Sequence, residues 1–410
     1  MAKFIVRGGK PLYGEIVAQG SKNSAVAILM ACIAVKGLVT LWRVPFITDV
    51  LNCIEILKGF GAKVEWGVDG ALSVDCRVLK YKHPSQELTA KMRASTYLMG
   101  ACLSRFGKCD ALAFGGCSLG ERPVNIHLEV LREIGVENRS GTLFLEEPCG
   151  VAEFSRVTVG GTVNAILAAV CGVGECLFKN CAKEPHVRDL VEFLRDCGAD
   201  IEGLGESEIR VRGVAELHGC EFVLSGDMIE AGTYLISGVA TGGDVTVRGV
   251  SPFEMVALNQ MFLEMGYRVE CGVDGVSVSG VGCGGNVVVT GEYPMFPTDL
   301  HPQTVALMGM VKGGGTLVEN VFGSDRFAYV NELAKFGAKC CVEGSRVEVE
   351  GCGYHPANAD ATDLRGGAAL VIAALCTGGE SVIGCVEYIE RGYSDFVSKL
   401  RSLGADVGCI

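Results

Sequence analysis

LKGFGAKVE, residues 57–65, runs an amphipathic segment into a glycine and turns at once into a short alternating stretch. The same signature recurs as LREIGVENR (131–139), LRDCGADIE (194–202), LEMGYRVE (263–270), LAKFGAKCCVE (333–343) and LRSLGADV (400–407). The glycines Gly61, Gly135, Gly198, Gly266, Gly337 and Gly404 stand 63 to 74 residues apart and span the chain. A glycine just past a helix accepts the left-handed conformation that closes the last turn, so each marks a helix end followed by a strand. Upstream in each unit lies a second helix, apolar nearly all round: SAVAILMACIAV, ASTYLMGACL, TVNAILAAVC, AGTYLISGVA, QTVALMGMV and AALVIAALC. Such a helix belongs in the interior, and the charged-faced helix that follows belongs outside. The expected architecture is α/β, with six helix–strand repeats arranged as two domains of three.

Composition narrows the partners. With 49% apolar and 20% charged residues the chain reads as globular, and its net charge of −12 argues against nucleic acid or an anionic membrane as partner. The least charged long run, residues 157–174, contains Thr, Asn and several glycines and reads as a buried helix with its turns. No secretory pattern opens the sequence, and the expected compartment is the cytoplasm. The 20 cysteines lie mostly within apolar runs and read as small buried hydrophobes in a reducing cytosol. None forms a CxxC pair with zinc-ligand spacing.

The cations are placed less ordinarily. Lys22, Arg93, Arg326, Arg365 and Arg391 each fall at or just before an expected helix start. A cation there opposes the helix dipole by about 0.3–1 kcal/mol. Five such placements make sense where helix N-termini and cations together hold an anion. The implied site is a cleft between the domains taking phosphates or carboxylates; the plainer alternative is solvated surface arginines. Within GGCSLGERPVNIH (115–127), Cys117 sits among glycines five residues before Arg122, a setting that tunes a thiol as acid or nucleophile.

In GSKNSAVAIL, KMRASTYLMG, FGGCSLGERPVNIH, VTVGGTVN, NCAKEPHVRDL, FPTDLHPQ, NVFGSDRF, ATDLRGGAAL and IERGYSDFVSKLRSLGAD, the chain resembles the UDP-N-acetylglucosamine 1-carboxyvinyltransferase (enolpyruvyl transferase) family. The resemblance runs from residue 20 almost to the C-terminus. It implies an inside-out α/β barrel. One domain would hold residues 20–226; the other, residues 1–19 with 227–410; and the active site would lie in the cleft between them. It implies enolpyruvyl transfer from phosphoenolpyruvate to the 3-hydroxyl of UDP-N-acetylglucosamine, the first committed step of peptidoglycan precursor synthesis, with no metal or organic cofactor. By resemblance Cys117, Asp299, Lys22 and Arg391 are catalytic. Phosphoenolpyruvate would meet Lys22, Asn23, Cys117, Arg122, Arg326, Arg365 and Arg391. The nucleotide sugar would meet Asn23, Arg93, the run Arg122, Pro123, Val124, Asn125 and Ile126, the run Arg156, Val157, Thr158 and Val159, then Asp299 and Val321. Asp299 or Asp363 could instead cap a turn, and His127 reads as structural. The chain departs from the family's usual pattern at Phe114, Asn125, Arg156 and Met228, and NVFGSDRF is one residue longer. Transfer to another acceptor, or a nucleotide-sugar-binding paralogue without turnover, are the alternatives. The intact Lys22, Asn23, Cys117 and Asp299 favour turnover, and the cysteine loop argues against shikimate 3-phosphate.

Overall fold

The computed structural model describes residues 2–110 and 124–410. Residues 2–19 and 226–410 form one compact unit, and residues 20–110 and 124–225 another.

All six repeat glycines adopt positive φ, between +84° and +101°. A side chain would be strained there, and each glycine ends the outer helix of its repeat. The first repeat shows the pattern. A buried helix, Lys22–Ala31, leads to the strand Leu38–Trp42, then to the amphipathic helix Thr48–Phe60 and the strands Lys63–Trp66 and Leu72–Asp75. These strands build one sheet, with Leu38–Trp42 antiparallel to Leu72–Asp75 in the register Leu38↔Asp75 and Leu41↔Leu72. The other repeats vary this plan, so the described residues contain five four-stranded sheets and one of three strands.

The inner helices are buried as their composition predicts. From Ser24 to Ala31 and from Arg365 to Leu375 no residue reaches the surface. In the unit 226–410, helices Met228–Ala240, His301–Met310 and Leu364–Leu375 pack on one another at the centre, with sheets around them. In the other unit, Leu98–Phe106 packs closely on Val159–Ala169, and Lys22–Ala31 lies against the helix Pro185–Asp196 while touching Leu98–Phe106. This is the inside-out α/β barrel arrangement: helices form the core and sheets the wall. In the helix Met228–Ala240, hydroxyls are satisfied along the helix itself, Thr233 Oγ1 donating to the Ile229 carbonyl (2.8 Å) and Ser237 Oγ to that of Thr233 (2.7 Å). Among the described residues no helix is long and apolar enough to cross a membrane.

Two strands pair within their own unit but far from their neighbours in the chain. Parallel neighbours are usually joined by a crossover helix. Gly150–Glu153, helix Val159–Ala169 and Glu175–Lys179 follow that rule. Tyr13–Val17 precedes the helix Lys22–Ala31 but pairs in parallel with Asp244–Arg248. Glu221–Val223 precedes Met228–Ala240 but pairs in parallel with Leu38–Trp42. Each crossing is tied down within a unit, Ser21 N–H donating to the Ser225 carbonyl (2.7 Å) and Asp227 N–H to that of Gln19 (2.9 Å).

Candidate active site

The candidate residues fall into two sets, one per unit. In the unit 226–410 the centre is Asp299, in a single 3-10 turn, Thr298–Leu300. Its carboxylate does not cap a helix. Oδ1 meets Arg326 Nη2 at 3.2 Å, and Oδ2 meets Arg365 Nη2 at 3.1 Å. The Arg326 and Arg365 side chains are only 1% and 3% exposed, whereas that of Asp299 is 31% exposed. These are not solvated surface arginines; they are buried cations gripping one accessible carboxylate.

The local sequence explains how both are aimed. Asp363 caps the helix Leu364–Leu375, accepting from Arg365 N–H and Gly366 N–H at 3.0 Å each. That fixes Arg365 in the first turn, with its guanidinium over the Tyr393 ring at 5.3 Å. Burial works against its charge, but Tyr393, Asp299 and Asp227 outweigh burial and hold its pKa above the ordinary arginine value. Arg326 lies in the 3-10 helix Gly323–Phe327 of the lengthened segment, and its Nη2 also donates to the Thr298 carbonyl (2.9 Å). Arg326 Nε and Arg365 Nε and Nη1 are buried with no hydrogen-bond partner among the described residues. Unmet guanidinium donors beside one carboxylate leave capacity for the oxygens of an anion. Arg391 ends a 3-10 helix, Val386–Arg391, and stands shortly before the helix Phe396–Ser402. Val321 is 40% exposed at the loop before Arg326.

In the other unit Lys22 is the first residue of helix Lys22–Ala31, which Ser21 caps by accepting from Ser24 N–H (3.3 Å). Lys22 Nζ pairs with the buried Asp49 at 3.0 Å, a counter-ion the sequence reading missed. Asn23 follows, half-buried. A second cluster gathers at the N-terminus of Val159–Ala169, which Thr158 caps. A Cβ on Gly160 would come within 2.9 Å of the His127 ring and 3.9 Å of Tyr97, and Arg93 lies close enough to depress the His127 pKa. Arg93 is half-buried, and among the described residues no carboxylate pairs with it. Ile126 is buried in the same helix as His127, while Asn125 and Arg156 are exposed and Val124 and Val157 half-buried. The set Arg93, Asn125, Ile126 and Thr158 to Val159 is thereby drawn around His127. Cys117, Arg122, Pro123 and Phe114 lie outside the described residues.

His127 is structural in its contacts. Its Nδ1 accepts from Asn164 Nδ2 (3.1 Å), and Asn164 Oδ1 in turn accepts from Gly100 N–H (2.8 Å). Burial first, then Arg93, push its pKa down to about 4. An unfolded histidine titrates near 6.5. Between those values the unfolded chain binds a proton that the folded chain refuses, so the stabilisation present above pH 6.5 is lost as pH falls towards 4. His127→Gln should flatten the fall in melting temperature between pH 7 and pH 5. An undiminished fall in that variant would assign the acid sensitivity elsewhere.

Sequence reasoning overlooked Glu319, His301 and Tyr393, which surround Asp299 and its arginines. Glu319 closing a strand just before a glycine-containing loop was the available signal.

The sequence model of EPSP synthase (3-phosphoshikimate 1-carboxyvinyltransferase) matches residues 6–400. UDP-N-acetylglucosamine 1-carboxyvinyltransferase 3 of Caldanaerobacter subterraneus subsp. tengcongensis is 41% identical over 414 residues, 99% of each chain. UDP-N-acetylglucosamine 1-carboxyvinyltransferase of Clostridium botulinum is 40% identical over 416 residues, again 99% of each. Among solved structures, the enolpyruvyl transferase NikO from Streptomyces tendae shares the fold with TM-score 0.87 at 24% identity, covering 100% of this chain and 99% of NikO. EPSP synthase from Acinetobacter baumannii does so with TM-score 0.75 at 16% identity, covering 100% of both. The chain belongs to the EPSP synthase (3-phosphoshikimate 1-carboxyvinyltransferase) family and, within it, to the UDP-N-acetylglucosamine 1-carboxyvinyltransferases.

Proposed function

We infer that this chain transfers the enolpyruvyl group of phosphoenolpyruvate to the 3-hydroxyl of UDP-N-acetylglucosamine and releases phosphate. What carries the reading is 41% identity, sustained over 99% of both chains, to a transferase of that name. The clasp of Asp299 by Arg326 and Arg365 supplies chemistry to match.

In this reading Asp299 takes the proton of the sugar 3-hydroxyl as that oxygen bonds to C2 of phosphoenolpyruvate. The electrons of the C2–C3 double bond take a proton from Cys117 at C3, giving a tetrahedral adduct. Loss of a C3 proton restores the double bond while the bond from C2 to the phosphate oxygen breaks, and phosphate departs. Cys117 can also bond to phosphoenolpyruvate directly. Lys22, Arg122 and Arg391 hold the phosphate and carboxylate, Arg326 and Arg365 add charge beside the base, and Asn23 orients the adduct. Arg93, Arg122 to Ile126, Arg156 to Val159 and Val321 line the nucleotide sugar. We take each unit as a domain. The unmet donors of Arg326 and Arg365 support an anionic substrate. We assign the enzyme to the cytoplasm and to peptidoglycan precursor synthesis, working on small molecules rather than on nucleic acid or membrane.

The test is phosphate release from phosphoenolpyruvate with UDP-N-acetylglucosamine or shikimate 3-phosphate as acceptor. Release with the nucleotide sugar alone is expected. Release only with shikimate 3-phosphate would overturn the acceptor, and silence with both would make the chain a binding paralogue.

A further inference from the structure

Glu319 follows the strand Gly315–Val318 and is 0% exposed. A buried carboxylate is tolerable only when donors saturate it. Its Oε1 accepts from Val321 N–H (2.9 Å) and Phe322 N–H (3.1 Å). Its Oε2 accepts from the Thr298 hydroxyl (2.9 Å) and from His301 Nδ1 (2.9 Å). One anion therefore ties three segments: the turn carrying Asp299, the first residue of helix His301–Met310, and the loop running through Val321 towards Arg326.

The donors cannot easily be rearranged. Burial holds His301 below the ordinary histidine pKa, so the ring is neutral, with its proton on Nδ1. His301 Nε2 is buried without a hydrogen-bond partner among the described residues. The ring stands edge-on to Phe327 and Tyr329, centroids 5.0 and 5.7 Å away. Moving the proton to Nε2 would bury an unpaired N–H, so His301 stays a donor towards Glu319. Thr298 is held from two sides, its hydroxyl by Glu319 and its carbonyl by Arg326 Nη2 (2.9 Å). The neighbouring Asp299 is aimed by that double hold.

We propose that Glu319 is a positioning residue for the transfer reaction, setting the Asp299 carboxylate through Thr298 and the Val321 loop through two backbone amides. The proposal rests on the reading of Asp299 as the base.

Its two halves separate by substitution. Glu319→Gln keeps an oxygen for the Val321 and Phe322 amides but turns an NH2 group towards the Thr298 and His301 donors. Thr298→Val removes one of those donors and little else. We expect Glu319→Gln to lower kcat about tenfold while KM for the nucleotide sugar moves less than about threefold. Thr298→Val should lower kcat about fivefold with its melting temperature nearly unchanged. The double variant should be no slower than Glu319→Gln, because both changes cut one link. Asp299→Asn serves as control. If it is inactive while Thr298→Val and Glu319→Gln turn over like the parent, or if their losses multiply, Glu319 is merely structural and the proposal falls. If Asp299→Asn keeps full turnover, the base assignment itself falls, a distinguishable result. Should Glu319→Gln fail to fold, the kcat of Thr298→Val decides alone.

Discussion

Asp299→Asn should lower kcat by roughly 10³-fold, inside the range of about 10²–10⁴ that a positioned acid or base contributes. The amide keeps the shape of the carboxylate but cannot take the hydroxyl proton. It also removes the one charge set between Arg326 and Arg365. Two buried guanidiniums with donors already unmet then lose that counter-ion. Breaking a buried ion pair costs about 3–5 kcal/mol, but Asp299 is 31% exposed and water screens part of the loss. An added anion can replace the missing charge, so inorganic phosphate should raise the melting temperature of Asp299→Asn more than that of the parent. Initial rates and melting curves with and without phosphate test both halves. Full turnover by the variant would remove Asp299 from the chemistry; equal phosphate shifts would mean that the arginines do not bind the anion.

Cys117→Ala should abolish single-site alkylation by the epoxide fosfomycin and cut enolpyruvyl transfer by about 10²–10⁴-fold, the weight of a proton donor in the transition state. Selectivity among 20 cysteines follows from environment. Burial pushes Cys76, Cys176 and Cys376 up to about 12, far from a thiolate at neutral pH. Cys117 lies in a glycine-rich stretch of sequence five residues before Arg122. Mass spectrometry of the treated protein decides: one adduct on the parent and none on the variant is expected. A single stoichiometric adduct persisting on Cys117→Ala would assign the reactive thiol elsewhere, with exposed Cys149 and Cys271 the first to examine.

The parts of the fold that were legible in the sequence are the locally encoded ones. Gly61 and its five counterparts announce helix ends because only glycine takes positive φ there without strain. The unbroken apolar runs announce inner helices because no polar face is left for water. The pairing of Glu221–Val223 was not legible: three residues alternating about Phe222 fit any sheet edge, and the partner lies some 180 residues upstream at Leu38–Trp42. The same division holds at the site. Arg326 and Arg365 stood out by position, yet their convergence on Asp299 joins residues 27 and 66 apart and needed coordinates. Glu319 left a faint trace because its role is expressed wholly through hydrogen bonds to other segments.

The strand pairings between residues far apart in the chain also impose an order on assembly during synthesis. All strands of the unit 20–225 have left the ribosome once Val223 has emerged. The other unit has no such freedom. Tyr13–Val17 waits for Asp244–Arg248, and Phe4–Arg7 waits for Glu380–Gly384 and Asp406–Cys409, with Phe4 opposite Cys409. Phe4–Arg7 in particular stays unpaired until Glu380–Gly384 is made, and its open edges must be kept from other chains meanwhile. Closing so long a loop adds little to the equilibrium cost, since that grows only with the logarithm of length, but it slows the search. The unit 20–225 can thus mature while the strands of the other unit still wait for their partners.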